Sequence, residues 1–157
     1  MDIKVVIFDW DGTLIDSVEL IAESLHQAAT DLGYPRLERE AYRDIIGLGM
    51  VEALDKLYPG ISHDEMTRIR EGYASYFFAK TTTPQNVFAG MADVITDLRG
   101  SDRGCSVATG KSRRGLDGAL VSSGLGPHFD TTRCADETRS KPDPRMLCEI
   151  IEYYRIR

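Results

Sequence analysis

Basic residues are in the minority. Nineteen lysines and arginines face 25 aspartates and glutamates, leaving a formal net charge of -6. A protein that binds a phosphate backbone needs a basic face, so the balance argues against nucleic acid as a partner. A few local cations could still hold a small phosphorylated molecule. No apolar run approaches the length of a membrane span, which argues against a membrane partner. The start, MDIKVVIFDWDG, lacks the long apolar stretch and small-residue cleavage site of a signal peptide. Cysteine is scarce: Cys105, Cys134 and Cys148 form no CxxC pair and leave an odd count, read here as reduced packing thiols in a cytoplasmic protein. His26, His63 and His128 show no metal-ligand spacing and are read as structural or exposed. Core-forming material is not lacking. Hydrophobic residues make up 42% of 157 residues, enough for one domain or one domain with a small insertion. Composition leaves the oligomeric state open.

The chain reads as α/β. Ile3 to Phe8 is a short β-branched apolar run, the pattern of a buried strand in a parallel sheet. It ends abruptly in Asp9-Trp10-Asp11-Gly12, so these aspartates are expected at a strand's carboxyl end, where open α/β sheets bind ligands. From Asp16 the period turns helical, with Val18, Ile21, Leu25, Ala28 and Leu32 on one face. Asp16 is expected to cap this helix, with Glu19 three residues on. Shorter helices over 41–46 and 51–57 flank Gly47-Leu48-Gly49, and Met66, Ile69, Tyr73, Tyr76 and Phe77 mark another, its aromatics read as core. Residues 17–80 therefore form a helical block without strands. The α/β alternation resumes with a helix over 91–98, a strand over 104–108, a helix over 114–123 and a strand over 129–134. A last helix follows Ser140-Lys141-Pro142-Asp143-Pro144, with Asp143 as cap and Pro144 at its first position.

Asp9 and Asp11, Thr109 and Lys141 all fall at ends of expected strands or in the loops after them. On a parallel sheet such ends converge, and these residue types suit phosphoryl transfer. One carboxylate can attack phosphorus and divide a hard hydrolysis into two easier steps. A second can protonate the leaving oxygen and later take a proton from water. A divalent cation such as Mg2+, which prefers oxygen ligands and phosphate, would hold crowded carboxylates ionised. A hydroxyl and an ammonium can meet the equatorial oxygens. Gly12 permits close approach of backbone amides.

DWDGTLIDS fits the pattern DxDGTxxDS, the first motif of the haloacid dehalogenase superfamily. VATGK resembles that family's second motif and SKPDP its third. The helical block resembles the cap of the subfamily that includes phosphoglycolate phosphatase and β-phosphoglucomutase. The resemblance covers nearly the whole chain. It implies a Rossmann-like core with a parallel sheet, formed by residues 1–16 and 81–157, and an inserted α-helical cap over 17–80, moving about hinges near Asp16 and Thr81 to Pro84. It implies that Asp9 is the nucleophile and Asp11 the general acid/base, that both serve Mg2+, and that Thr109, Gly110 and Lys141 hold the phosphoryl group of a small phosphorylated metabolite.

The family's fourth motif, a GDxxxD-like strand end, has no counterpart before Arg157. The chain is accordingly expected to be a fragment with an incomplete metal site and weak or no activity. Asp136 is a substitute candidate for the third acidic ligand, beside Glu137. Arg43 could meet a substrate carboxylate or lie idle on the surface. Gly47-Leu48-Gly49 reads equally as a loop over the substrate or a plain helix break. Trp10 is expected to wall the pocket by packing, and Arg113 and Arg114 to cover a helix end. The leading reading is a Mg2+-dependent phosphatase working through an aspartyl-phosphate. A β-phosphoglucomutase-like phosphotransferase shares the same core residues. A non-catalytic phospho-accepting or binding module is the third reading.

Overall fold

The computed structural model describes residues 3–80 and 86–155. Three short strands, β1 (Val5–Phe8), β2 (Gly104–Thr109) and β3 (Thr131–Cys134), form one parallel sheet in the order β1-β2-β3. β2 lies between the other two and is buried along almost its whole length, which is why its apolar residues run on instead of alternating. The register pairs Phe8 with Val107 and Thr109 with Cys134. The three carboxyl ends are therefore nearly level, and the residues leaving them share one edge.

Four helices follow β1: α1 (Val18–Asp31), α2 (Arg39–Arg43), α3 (Met50–Leu57) and α4 (His63–Lys80). They bury a cluster of their own around Leu25, Leu54 and Ile69, with α1 packed lengthwise on α4. Gly72 is the point of closest approach, where even a methyl group would press on Ala28. The chain returns through α5 (Met91–Gly100), α6 (Arg113–Ser123) and α7 (Arg145–Tyr153). These pack on the sheet in two further clusters, one around Trp10, Leu14, Ile95 and Leu116, the other around Met146 and Ile150. The helical cluster shares no residue with either. Among the described residues no helix is long and apolar enough to cross a membrane.

Three expectations shift. The first helix takes Ser17, not Asp16, at its N-cap, and no side chain caps it there; the Ser17 hydroxyl is turned onto Asp11 instead. Asp143 satisfies the Arg145 amide at 2.9 Å, while Pro144 takes the N-cap and the helix starts one residue later. Cys105 and Cys134 are buried as expected, but Cys148 is exposed on α7. The hinge expected at Thr81 to Pro84 lies outside the described residues.

At the end of the sheet remote from the aspartates, Tyr154 ties α7 to the strands. Its hydroxyl lies 2.8 Å from Ser106 Oγ and 2.7 Å from Asp130 Oδ2. Asp130 also accepts the Cys105 amide and the Arg99 guanidinium. A carboxylate is the strongest acceptor available, so the phenolic proton goes to Asp130 and Ser106 donates to the phenolic oxygen. Burial pushes the Tyr154 phenol well above its ordinary pKa.

Candidate active site

The site begins where β1 runs out. Asp9 Oδ1 accepts the Trp10 amide at 2.8 Å, which turns the carboxylate back over the strand end. The next residues fold into a tight turn in which Leu14 and Ile15 donate to the Trp10 carbonyl and Gly12 to that of Ile15. Gly12 has φ 77°, and its α-carbon faces Val18, so a larger residue would meet both strain and contact. The turn brings Asp11 beside Asp9 on the sheet's carboxyl edge and places the Ser17 hydroxyl 2.7 Å from Asp11 Oδ1.

Two lysines meet the two acids. Lys141 Nζ lies 2.9 Å from Asp9 Oδ1, and Lys111 Nζ lies 3.1 Å from Asp11 Oδ1. The second pair is largely withdrawn from solvent, each side chain only 10% exposed. Lys111 also stands 4.7 Å from the centre of the Phe77 ring, a cation–π contact from the end of β2 to helix α4. Thr109 is fully buried at the same strand end, and its hydroxyl accepts the Lys111 amide at 3.2 Å.

Gly47-Leu48-Gly49 lies directly over this floor. A methyl group on Gly110 would collide with the Leu48 carbonyl oxygen, and one on Gly47 would stand 3.3 Å from Asp9 Oδ2. The Gly49 amide donates to Ser140 Oγ at 2.9 Å, joining the turn to the segment that carries Lys141. The turn is a roof over Asp9, and it is also the break between α2 and α3.

The expected site residues thus divide. Asp9, Asp11, Gly12, Thr109, Gly110 and Lys141 come together. Arg43 does not: it pairs with Glu19 at 2.6 Å in an exposed cluster that Arg39 joins. Asp136 accepts the Arg113 amide at the start of α6 and lines an open groove with Ser140 and Gly49. Arg113 itself does more than cover the helix end. It binds Glu137 through two nitrogens, at 2.8 and 2.7 Å, and that pairing holds the Glu137 carboxyl below its ordinary pKa. Among the described residues no three acidic, histidine or cysteine side chains are grouped to hold a metal. Lys111, Ser17 and the aromatic pair Tyr73 and Phe77 were not foreseen at the site. The signal for Lys111 was present, one residue past Gly110, but a lysine after a strand is ordinarily solvated.

Two cavities open from Asp11 and share Lys111, Phe77 and Phe78. One, of about 240 Å³, runs past Trp10, Ile15 and Ala119. The other, of about 160 Å³, enters the helical block between Leu25, Ile45, Leu48 and Tyr73. Burial, and secondarily the charge of Asp11, pushes the Tyr73 phenol well above its ordinary pKa. Trp10 is 1% exposed and packs edge-on against Phe129, so it both walls a cavity and fills the core.

Comparison with known proteins agrees with this architecture. The Probable phosphatase IndB of Dickeya dadantii is 32% identical over 145 residues, covering 90% of this chain; the chain spans 63% of that protein's length. Phosphoglycolate phosphatase of Vibrio parahaemolyticus is 26% identical over 99% of the chain and 72% of its own length. The crystal structure of β-phosphoglucomutase from Clostridium difficile superposes with a TM-score of 0.85 at 18% identity, over 99% of this chain and 72% of that one. A sequence profile described as "Haloacid dehalogenase-like hydrolase" matches residues 6–157. With an acid-bearing β1 edge, a parallel sheet and a match over almost its full length, the chain belongs to the haloacid dehalogenase-like hydrolases.

Proposed function

We propose that the protein is a Mg2+-dependent phosphatase that hydrolyses a small phosphorylated metabolite through an aspartyl-phosphate on Asp9. The observation that carries this reading is the pairing of the two carboxylates with two lysines at one strand edge, Lys141 on Asp9 and Lys111 on Asp11. Two acids matched by two lysines at the sheet's edge, with Asp11 and Lys111 lining two cavities, suit a site that takes in a dianion. In the first step an oxygen of Asp9 forms a bond to phosphorus while the ester bond breaks, and Asp11 gives its proton to the departing alkoxide. In the second, Asp11 takes a proton from water, the water oxygen bonds to phosphorus, and the Asp9–phosphorus bond breaks to release phosphate. In this reading Lys141, Lys111, the Thr109 hydroxyl and the Gly110 amide would meet the non-bridging oxygens.

The donors present fit Mg2+. That ion takes one or two carboxylates and completes its shell with water and substrate phosphate. Asp9 would supply a carboxylate and Asp11 its backbone carbonyl oxygen, to which no described N–H donates, leaving the Asp11 carboxyl to carry the proton. The ion would supply positive charge beside the phosphoryl oxygens. The division into a core of residues 1–16 and 81–157 and a cap of 17–80 belongs to the same proposal, supported by the separate helical cluster. Three unpaired thiols suit action in the reducing cytoplasm.

The test is phosphate release from p-nitrophenyl phosphate by this chain and its Asp9→Asn variant. Turnover that needs Mg2+ and falls by about a thousandfold or more in the variant is the expected result. Equal turnover by both proteins would sink the reading.

A further inference from the structure

The phosphate end of the site is polar, yet what lies beyond Asp11 is not. If Asp11 protonates the leaving oxygen, that oxygen lies within hydrogen-bond reach of its carboxyl, and the substrate's carbon skeleton must continue away from it. On the side of the roofing turn, the space that continues from Asp11 is the cavity of about 160 Å³. We propose that the alcohol part of the substrate is apolar, about one aromatic ring in size, and is held in this cavity by the helical block. This rests on the phosphatase reading and adds the class of ester to it.

Three observations carry the inference. Lining comes first: Leu25, Ile45, Leu48, Met50 and Phe77 face the space, and several of them belong to the buried cluster of the helices. The second is size: about 160 Å³ is close to the volume, about 150 Å³, that takes up benzene. The third is what the walls cannot satisfy. Of the two cations that line the cavity, Lys111 is already paired with Asp11, and Arg70 is exposed and also borders the open groove. A carboxylate carried deep into this space would lose water without gaining a counter-ion. A sugar fares little better, because among the described side chains, besides Asp11, only Tyr73 and Ser112, with the paired Lys111 and the exposed Arg70, are there to answer several substrate hydroxyls.

The experiment is titration calorimetry on the full chain carrying Asp9→Asn, in magnesium buffer, so that esters bind without turnover. Phenyl phosphate, phosphoglycolate, glucose 6-phosphate and inorganic phosphate are compared. Phenyl phosphate is expected to bind at least about tenfold more tightly than the other three, the return on burying one ring. Adding Ala74→Leu, which fills the cavity from its wall, should abolish that preference and leave inorganic phosphate bound as before. Adding Arg70→Ala should not change phenyl phosphate binding. Tighter binding of phosphoglycolate or the sugar phosphate, lost with Arg70→Ala, would overturn the inference and leave the phosphatase reading standing. A preference for phenyl phosphate that survives Ala74→Leu would overturn the assignment to this cavity. Failure of every ligand to bind, inorganic phosphate included, would overturn both.

Discussion

Gly110 has the least room of any residue at the site. The Leu48 carbonyl oxygen occupies the place where its side chain would be, and backbone cannot rotate away as a side-chain tip can. Gly110→Ala should therefore lift the turn off Asp9 and Lys111. An ångström of displacement at a reacting centre costs on the order of a hundredfold in rate. Expected in steady-state kinetics is a fall of roughly that size in kcat/KM, together with a lower melting temperature, because the clash is with backbone and relieving it costs about 1–3 kcal/mol. An unchanged kcat/KM would mean the turn does not form the roof during turnover. Much of this neighbourhood was legible in the sequence. Asp9, Asp11, Thr109 and Lys141 stand in motifs whose order along the chain matches the order of strand ends. Lys111 was not legible, because its partners, Asp11 and Phe77, lie 100 and 34 positions away and only folding reveals them. Ser17 was misjudged for a local reason. Either Asp16 or Ser17 can cap a helix; Ser17 takes the position, but Asp11 claims its hydroxyl and the first turn is left without a side-chain cap.

Among the elements, α7 depends most on a single side chain. Its apolar face meets the sheet through Met146 and Ile150, but Tyr154, just past its end, is the polar clamp. Tyr154→Phe keeps the ring against Gly104 and removes the hydroxyl. Ser106, fully buried, loses a partner, and Asp130 loses a donor. A buried polar group left unpaired costs about 1–3 kcal/mol, and urea unfolding should report a loss of that size. Because this clamp is at the other end of the sheet from Asp9, the variant's residual kcat at a temperature where it is folded should match the parent's. Element identity was mostly readable from periodicity, whereas boundaries moved by one or two residues wherever a proline or a competing hydrogen bond set the first turn. The shift at Pro144 is of that kind.

At the scale of the molecule, acid sensitivity follows from carboxylates held below their ordinary pKa. Glu137 is lowered by Arg113 and Glu149 by Thr138, with Arg133 and Arg145 adding to the second. Asp130 is raised by burial, but the Tyr154 hydroxyl, the Cys105 amide and Arg99 together outweigh that and bring it below its ordinary value. A group whose folded pKa lies below its unfolded one contributes stability that is complete above the unfolded value and is lost as pH falls through the folded one. Stability should accordingly stay level from neutral pH to about 5 and decline below the ordinary glutamate value of 4.5. Urea midpoints across that range would check it. Glu137→Gln should be less stable than the parent at neutral pH and show a shallower decline in acid. A parallel decline would assign the acid response to other groups.

The same molecule keeps its hydrophobic interior in separate piles: one made wholly by helices α1 to α4, the others by residues around the sheet. Apart from Phe77, which stands on Lys111, a substitution among the buried residues of the first pile removes no packing from the other two. Selection can therefore act on the two almost independently. A lineage could drift through many choices of alcohol by rewriting Leu25, Ile45 or Met50, while the strand-edge chemistry was inherited unchanged. Descendants would then differ most in diet where they differ least in mechanism.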